Sequence, residues 1–239
     1  MQYGRIVSLR AVFLIFTLLV SASAISHQSG LDHWLANSFY RIEGGHGDGF
    51  PWKNNYWLFN VTHEDGGALV KYLFIATFGL LIGSYYFGGL KPFQTALLYI
   101  VLSTFIAASS VSFLKHHTTL QCPNSLIEYG GRNHWVNIWQ LFGKKLPLGK
   151  CFPAGHASGG YAWICLGFLF PFGSKQFYWA ILPGLALGLC FGFAQQLRGA
   201  HFISHDLLTI AMCWLTSALL YKVFYALNSK DSKMIQAAI

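Results

Sequence analysis

The chain has 239 residues, of which 54% are hydrophobic, 17% aromatic and only 10% charged, whereas soluble domains carry about 25% charged residues. This composition excludes disordered, fibrous and disulfide-dense secreted proteins, and it indicates one compact bundle of membrane helices. The formal net charge is +8. Because most basic residues flank apolar stretches and no nucleic-acid motif is present, the charge indicates contact with anionic lipid or a phosphorylated substrate.

A bilayer core about 30 Å thick is crossed by about 20 mostly apolar residues in a helix, and the sequence offers six such stretches. It therefore predicts an all-α fold, a six-transmembrane-helix bundle that forms a single domain over residues 1–239. The predicted spans are Ile6 to Ile25, Ala68 to Phe87, Phe93 to Leu114, Ala157 to Phe172, Phe177 to Leu197 and Phe202 to Leu227.

The first span has a second interpretation. Arg5 and Arg10 precede a short apolar run that ends in the small residues 21–24, which is the pattern of a signal peptide with its cleavage site. Residues 1–25 are therefore either the first transmembrane helix, which we favour, or a signal-like segment that is removed.

With the first span retained and the N-terminus inside, the loops after spans one, three and five lie outside. The density of Lys and Arg in short loops and at helix ends favours this orientation. The first outside segment has apolar residues at the i, i+3, i+4 and i+8 spacing of one helix face, which predicts an amphipathic helix on the outer membrane surface. These residues are Leu31, Trp34, Leu35 and Phe39.

The five cysteines fall into two groups. Three lie in apolar spans and are expected to pack there: Cys165, Cys190 and Cys213. The other two, Cys122 and Cys151, lie in the outside loop of residues 115–156. If this loop faces an oxidising compartment, a disulfide between them is expected to contribute about 3 to 4 kcal/mol; the alternative is two free thiols.

Three polar stretches are predicted to meet at the outer end of the bundle, namely residues 115–123, 151–156 and 195–206. Together they hold a lysine, an arginine, several histidines, one acid and a Pro-x-Gly turn that enters a helix. In phosphoryl transfer, cations and helix N-terminal amides bind phosphate oxygens, one imidazole attacks phosphorus and another protonates the leaving oxygen. The three stretches therefore predict phosphoryl transfer.

A zinc site is the alternative use of these histidines. His201 and His205 are spaced i, i+4, as two ligands on one helix face would be. Cys122, Cys151 or Asp206 would have to supply a third ligand.

The order and spacing of the three stretches resemble the type 2 phosphatidic acid phosphatase superfamily of integral membrane lipid phosphatases, whose motifs are KxxxxxxRP, PSGH and SRxxxxxHxxxD. The resemblance covers about residues 30 to 215. The matching positions are Lys115 and Pro123 in the first motif, Pro153, Gly155 and His156 in the second, and His201 in the third.

The resemblance implies a two-step mechanism without metal or cofactor. His201 would attack phosphorus, His156 would protonate the leaving group, and water would then hydrolyse the phosphohistidine. The phosphate oxygens would be held by a second set of residues: Lys115, Arg198, Gly155, Ala154 and Gln195.

Three positions depart from the motifs. Cys122 stands at the arginine of the first motif, Ala154 at the serine of the second and Gln195 at the arginine of the third. If the third stretch is helical, Gln195 and Arg198 share a face, so Arg198 supplies the missing guanidinium from one turn along.

The aspartate position of the third motif holds His205, and Asp206 follows it. A helical step of about 100° points Asp206 away from the row formed by His201 and His205. Either His205 itself orients the nucleophile, or Asp206 bends back to it. The predicted catalytic set is therefore His156, His201, Asp206 and His205.

The loop between the first two motifs is rich in basic and aromatic side chains. It is either a solvated loop anchored at the interface or a collar that selects an anionic headgroup. The residues concerned are Arg132, His134, Lys144, Lys145 and Lys150, with Trp135 and Trp139.

The resemblance implies a phosphatase that acts on the phosphate or diphosphate of a membrane lipid. It also implies a bacterial inner membrane protein whose active site faces the periplasm, with the lipid bilayer and the lipid phosphate as partners and no nucleic acid. Two alternatives stay open, namely a lipid phosphotransferase of the same fold and a non-catalytic member that binds anionic lipid.

Overall fold

The computed structural model describes residues 8–143 and 146–237, with side chains up to Phe224. Within these ranges the fold is all-helical. The helices are α1 (Leu9–Gln28), α2 (Leu31–Ile42), α3 (Gly66–Tyr86), α4 (Gln94–Lys115), α5 (Gly155–Tyr161), α6 (Lys175–Leu197) and α7 (Ile203–Ala237). A π-helix, Trp57–Asp65, runs directly into α3, and a 3-10 helix, Ala162–Leu169, continues α5.

Five helical stretches among the described residues are long and apolar enough to cross a membrane. They are Leu9–Gln28, Trp57–Tyr86, Gly88–Lys115, Lys175–Leu197 and Ile203–Phe224. Five of the six predicted spans therefore correspond to such a helix, with shifted ends.

The structure differs from the six-helix prediction at residues 157–172. Here a seven-residue α5 continues as an eight-residue 3-10 helix, and the segment is not among the long apolar helices. It runs antiparallel to α6, since Gly160 lies against Gly188 and Gly167 lies against Ile181. A 3-10 helix rises about 2.0 Å per residue, against about 1.5 Å for an α-helix. The segment therefore extends further along α6 than an α-helix with the same number of residues would.

A stripe of glycines lets neighbouring segments approach α6 closely. Gly184, Gly188 and Gly192 recur every four residues, and small residues at this spacing allow membrane helices to pack with little separation. A Cβ at position 188 would overlap the ring of Tyr161, and one at position 192 would overlap the carboxylate of Asp206. The stripe therefore fixes where α5 and α7 meet α6.

The N-terminal helix α1 packs along α7. Ser23 Oγ donates to the Ser204 carbonyl at 2.7 Å, and Trp214 Nε1 donates to the Val12 carbonyl at 3.2 Å. Both bonds involve residues of the segment 1–25, and the choice between a transmembrane helix and a signal-like segment stays a prediction.

The predicted amphipathic helix is present as α2. Leu31 and Trp34 on its predicted apolar face are 40% and 64% exposed. The buried face instead carries Asp32, Ala36 and Tyr40. An apolar face left open in this way suits a helix that lies against lipid.

The long connection between α4 and α5 is folded on its own small core of Leu120, Val136 and Phe152. Thr118 Oγ1 donates to the Phe152 carbonyl at 2.6 Å, which closes the ends of the loop. The loop therefore holds the start of α5 beside the end of α4.

Candidate active site

A cavity of about 420 Å³ opens at the end of the bundle where α4 and α6 end and α5 and α7 begin. Its lining comes from the three polar stretches and from the π-helix before α3. The lining residues are His63, Lys115, Cys122, His156, Gln195, Arg198, Ala200 and His201. The fold thus brings five of the predicted site residues to one space: Lys115, His156, Gln195, Arg198 and His201.

Lys115 is the last residue of α4 and extends beside Gly155. A Cβ built on Gly155 would lie 3.4 Å from Lys115 Nζ, so a larger residue there would crowd the ammonium group. Among the described residues, the ion pairs that form do not include Lys115. Its charge is therefore available to an anion in the cavity.

The two predicted backbone ligands differ in the structure. Ala154 is fully buried and its N–H donates to the His205 carbonyl at 3.3 Å, so this amide is already used. Gly155 begins α5, where the first N–H groups have no partner inside the helix. The Ala154 amide is therefore engaged within the protein, and phosphate binding by Ala154 and Gly155 stays a prediction.

Arg198 follows the end of α6 and is held on three sides. Nε donates to the Lys53 carbonyl at 2.9 Å, and Nη1 donates to Gln195 Oε1 at 3.2 Å. The guanidinium carbon lies 4.7 Å from the centre of the Phe59 ring, a cation–π distance. The predicted meeting of positions 195 and 198 is present, and it presents the guanidinium to the cavity.

His63 is a cavity residue that the sequence analysis missed. Its ring centre lies 4.5 Å from that of His156, and its Nδ1 lies 2.9 Å from Gln195 Nε2. Since the amide nitrogen donates, Nδ1 accepts and the neutral ring carries its proton on Nε2. π-helical segments are frequent at functional sites, but the sequence signal was only the polar run 62–65 before an apolar span.

His156 stands at the second position of α5. Its Nε2 lies 3.1 Å from the Thr62 carbonyl, so Nε2 carries the proton of the neutral ring and Nδ1 is the basic nitrogen. Burial, reinforced by the neighbouring His63, lowers the pKa of His156 to about 4. A bound phosphate dianion would raise that pKa again, because it favours the protonated ring.

His201 lies between α6 and α7 and is only 6% exposed. Burial, with a contribution from the Lys115 charge, lowers the pKa of His201 to about 3, so the ring is neutral at physiological pH. Its Nδ1 lies 3.2 Å from His205 Nδ1. An attacking Nε2 needs the proton on Nδ1, which then donates to His205.

Asp206 does not reach the nucleophile. Its Oδ2 accepts a hydrogen bond from Gln196 Nε2 at 2.7 Å, and the carboxylate lies against Gly192 of α6. Of the two predicted alternatives for orienting His201, the structure therefore contains the contact through His205.

A disulfide joins Cys122 and Cys151, which are 29 residues apart. It links the end of the first motif to the start of the second and lies beside His201, whose Nδ1 is 3.6 Å from Cys151 Sγ. The arginine position of the first motif is thus part of a covalent crosslink.

We expect reduction of this disulfide to destabilise the protein by about 3 to 4 kcal/mol, the entropic estimate for a loop of this length. Thermal unfolding in detergent, with and without a membrane-permeant reductant, measures the effect. The variant Cys122→Ser/Cys151→Ser is the control, and its melting temperature should not respond to reductant. An unchanged melting temperature in the wild-type protein would contradict the prediction.

Cys151, His201 and His205 offer ligand atoms within 4.8 Å of one another. The sulfur of Cys151 is bonded to Cys122, so it is not the thiolate that zinc binds. The cluster then has two imidazoles, one fewer than the three protein ligands of catalytic zinc sites. These residues do not fit a zinc centre.

The structure places the basic and aromatic loop residues in different surroundings, and their role as an anchored loop or as a collar stays a prediction. Arg132, His134 and Trp139 are exposed, and Lys144 and Lys145 lie outside the described residues. Trp135 instead stacks on His27, with ring centres 4.1 Å apart. That tryptophan is half-buried and packs against the cluster that contains Tyr40, Tyr129 and Phe202.

In chemical terms the cavity combines two cations, Lys115 and Arg198, with three imidazoles, His63, His156 and His201. Cations of this kind bind phosphate oxygens. His201 is unprotonated, as an attacking imidazole must be, and an anion that binds beside His156 favours its protonated form.

Residues 95–229 match the family model of the PAP2 superfamily. The match begins in α4 and ends in α7, so it includes every predicted motif residue but neither His63 nor the first two helices. No curated protein and no solved structure matches the chain.

Proposed function

The chain belongs to the PAP2 superfamily, and we propose that it is an integral membrane phosphatase that hydrolyses the phosphate or diphosphate of a lipid through a phosphohistidine. The observation that carries this proposal is that His156 and His201 line one cavity with Lys115 and Arg198. The superfamily indicates phosphatase chemistry on phosphate esters, and the apolar helices indicate an integral membrane protein.

In the first step, the Nε2 lone pair of His201 forms a bond to phosphorus. The bond from phosphorus to the lipid oxygen breaks, and its electron pair leaves with that oxygen, which takes a proton from His156. In the second step, a water oxygen attacks phosphorus, the N–P bond breaks, and His156 takes the proton of the water. His201 returns to its neutral form with inorganic phosphate released.

The cations stabilise the charge that the phosphoryl oxygens carry during both steps. Lys115 acts as a point charge, whereas the guanidinium of Arg198 offers donors in a planar fork. His63 lines the same space and adds a third polar side chain to this set. Lys115 is the motif lysine, and we propose that Arg198 and His63 take the place of the two motif arginines.

An apolar groove supports a lipid as the substrate. A cavity of about 330 Å³ between α3, α4 and α5 is lined mostly by apolar side chains, among them Val70, Phe74 and Trp163, and by Gly159. Gly159 lies one helical turn after His156, so the groove lies near the proposed acid. An apolar groove this near the site suits the hydrocarbon chain of a lipid phosphate.

The disulfide supports a site on the oxidising side of the membrane. Structural disulfides persist in the bacterial periplasm and are rare in the cytosol. Cys122 lines the catalytic cavity, so crosslink and active site share one compartment. We therefore propose a bacterial inner membrane protein with its site facing the periplasm.

Arg198→Ala is expected to lower kcat/KM about 10²- to 10³-fold, the cost of losing one main donor to a transition-state oxyanion. Arg198→Lys should recover little, because a lysine cannot reproduce the fork held by Lys53 and Gln195. The control is Arg132→Ala, an exposed arginine of the loop. A loss under about threefold for Arg198→Ala would remove this residue from the phosphate site.

The proposed function is tested by phosphate release from a lipid panel with detergent-purified protein, with and without EDTA. The panel contains phosphatidic acid, phosphatidylglycerol phosphate, a polyprenyl diphosphate and phosphorylated lipid A. Release that survives EDTA is expected. Release that appears only with an acceptor lipid would indicate a phosphotransferase, and binding without release would indicate a non-catalytic member.

A further inference from the structure

A buried polar cluster joins α1, α2 and the start of α7. At its centre is Asp32, which is fully buried. Asp32 Oδ1 accepts the backbone N–H of Ser204 at 3.1 Å, and Oδ2 accepts the hydroxyl of the same serine. His27 completes the cluster, with its Nδ1 3.3 Å from Asp32 Oδ2.

His27 is arranged to hold this carboxylate in place. Its Nε2 lies 3.0 Å from the Val136 carbonyl, while its Nδ1 faces Asp32. Both ring nitrogens thus face oxygen atoms of the cluster and its surroundings. Trp135 stacks on the ring with an interplanar angle of 18°. A buried carboxylate with this many donors is fixed in one position.

The nucleophile lacks a carboxylate of its own. Its Nδ1 contacts His205, and Asp206 is bonded to Gln196 on the far side. When His201 attacks phosphorus it becomes positively charged, and that charge is shared with the fully buried His205. A buried charge without a counter-charge is costly, and His205 Nε2 has no hydrogen-bond partner among the described residues.

We infer that Asp32, held by His27, is the positioning carboxylate of the nucleophile and acts through Ser204 and His205 on His201. Ser204 immediately precedes His205, so the two bonds from Ser204 to Asp32 fix the first turn of α7 and with it the His205 ring. This inference rests on the proposed function, because it gives Asp32 a role in phosphohistidine formation.

Charge adds to the positional argument, because Asp32 is a buried acid close to the helix end that carries His205. The titratable groups around Asp32 are His27 from α1 and Asp206 from α7. Through its two bonds to Ser204, the cluster places a carboxyl group near the pair of imidazoles that receives positive charge.

The origin of this carboxylate explains how the departure at position 205 is tolerated. Asp32 and His27 lie before residue 95, outside the stretch that matches the superfamily. The superfamily motif carries its acid four residues after the nucleophile, on the same helix. In this chain an acid from α2, Asp32, is bonded to Ser204 in the first turn of α7.

The test compares Asp32→Asn, Asp32→Glu and Ser23→Ala in the full-length protein in detergent. Asp32→Asn keeps the size of the side chain but removes its charge. We expect kcat to fall about 10- to 100-fold, as for other partners that orient a catalytic group, with KM changed less than about threefold. Rapid-quench measurement of the phosphoenzyme should place the loss in its formation. Asp32→Glu should recover part of kcat.

Ser23→Ala separates this role from a merely structural one. Ser23 bonds to the Ser204 carbonyl at the same junction but carries no charge. Its kcat should stay within about threefold of wild type even where its melting temperature falls. If Asp32→Asn and Ser23→Ala lose the same activity, or Asp32→Asn keeps wild-type kcat, the inference is overturned.

Ser204→Ala serves if Asp32→Asn does not yield folded protein. It removes one donor to Asp32 and leaves every charge in place, and a three- to tenfold loss of kcat with unchanged KM is expected. No change would overturn the inference. If the wild-type protein hydrolyses lipid and the Asp32 variants are equally active, only the role of Asp32 is contradicted. Wild-type protein that releases no phosphate contradicts the proposed function, and the inference with it.

Discussion

Replacing His201 by alanine is expected to abolish phosphate release, with kcat reduced about 10⁴-fold or more, as when other enzymes lose their nucleophile. The reason is that His201 is the neutral imidazole of the cavity whose Nδ1 proton has an acceptor, His205 Nδ1 at 3.2 Å. Its Nε2 is thereby left as the attacking nitrogen. Turnover of a lipid substrate and trapping of an acid-labile phosphoprotein measure the two consequences.

The matched control is His116→Ala. This histidine is exposed, lies next to Lys115 and bonds only its own helix through the Ser112 carbonyl at 2.7 Å, so its loss should leave kcat within about twofold. A His201→Ala protein that melts like the wild type yet forms no phosphoprotein is the expected result. If that variant still forms the adduct, the nucleophile is another residue.

How much of the fold could be predicted from the sequence depended on what surrounds each helix. Helices that face lipid must be apolar over about 20 residues, so α1, α3, α4, α6 and α7 were readable from hydropathy. The α5 segment is instead surrounded by other helices. Its length is set by the contacts of Gly160 and Gly167 with α6, and these involve residues that hydropathy does not distinguish.

The candidate site divides in a similar way. Lys115, His156 and His201 were readable because each lies in a short motif of fixed spacing, and Arg198 because positions three apart on a helix share a face. His63 and Thr62 contact His156, although both lie more than 90 residues before it in the sequence. A local sequence pattern cannot predict such a contact, and it cannot predict the bond between Asp32 and Ser204 either.

The Cys122 position shows how a departure from a motif can carry information. The substitution removes the motif arginine, and the position instead forms a crosslink beside His201. Arg198, one turn along, brings a guanidinium to the cavity, and His63 of the π-helix brings a neutral imidazole. In this chain, the chemical role of a motif position can therefore be assigned only when its three-dimensional neighbours are known.

Replacing His156 by glutamine is expected to lower kcat/KM about 10²- to 10⁴-fold for an alkyl phosphate lipid, the usual contribution of a general acid. Glutamine can still donate to the Thr62 carbonyl, which His156 Nε2 contacts at 3.1 Å, but it cannot give a proton to the leaving oxygen. For nitrophenyl phosphate, whose oxygen departs as an anion without a proton, the same variant should lose less than about tenfold.

The pH dependence has a definite sign. His156 must be protonated to act, and burial lowers its pKa to about 4, so the proton has to enter with the substrate, whose phosphate has a second pKa of about 6. The wild-type kcat/KM for the alkyl phosphate should therefore fall as the pH rises above about 6. His156→Gln should lack this fall. If the variant loses equal activity on both substrates, His156 binds phosphate and does not protonate the leaving group.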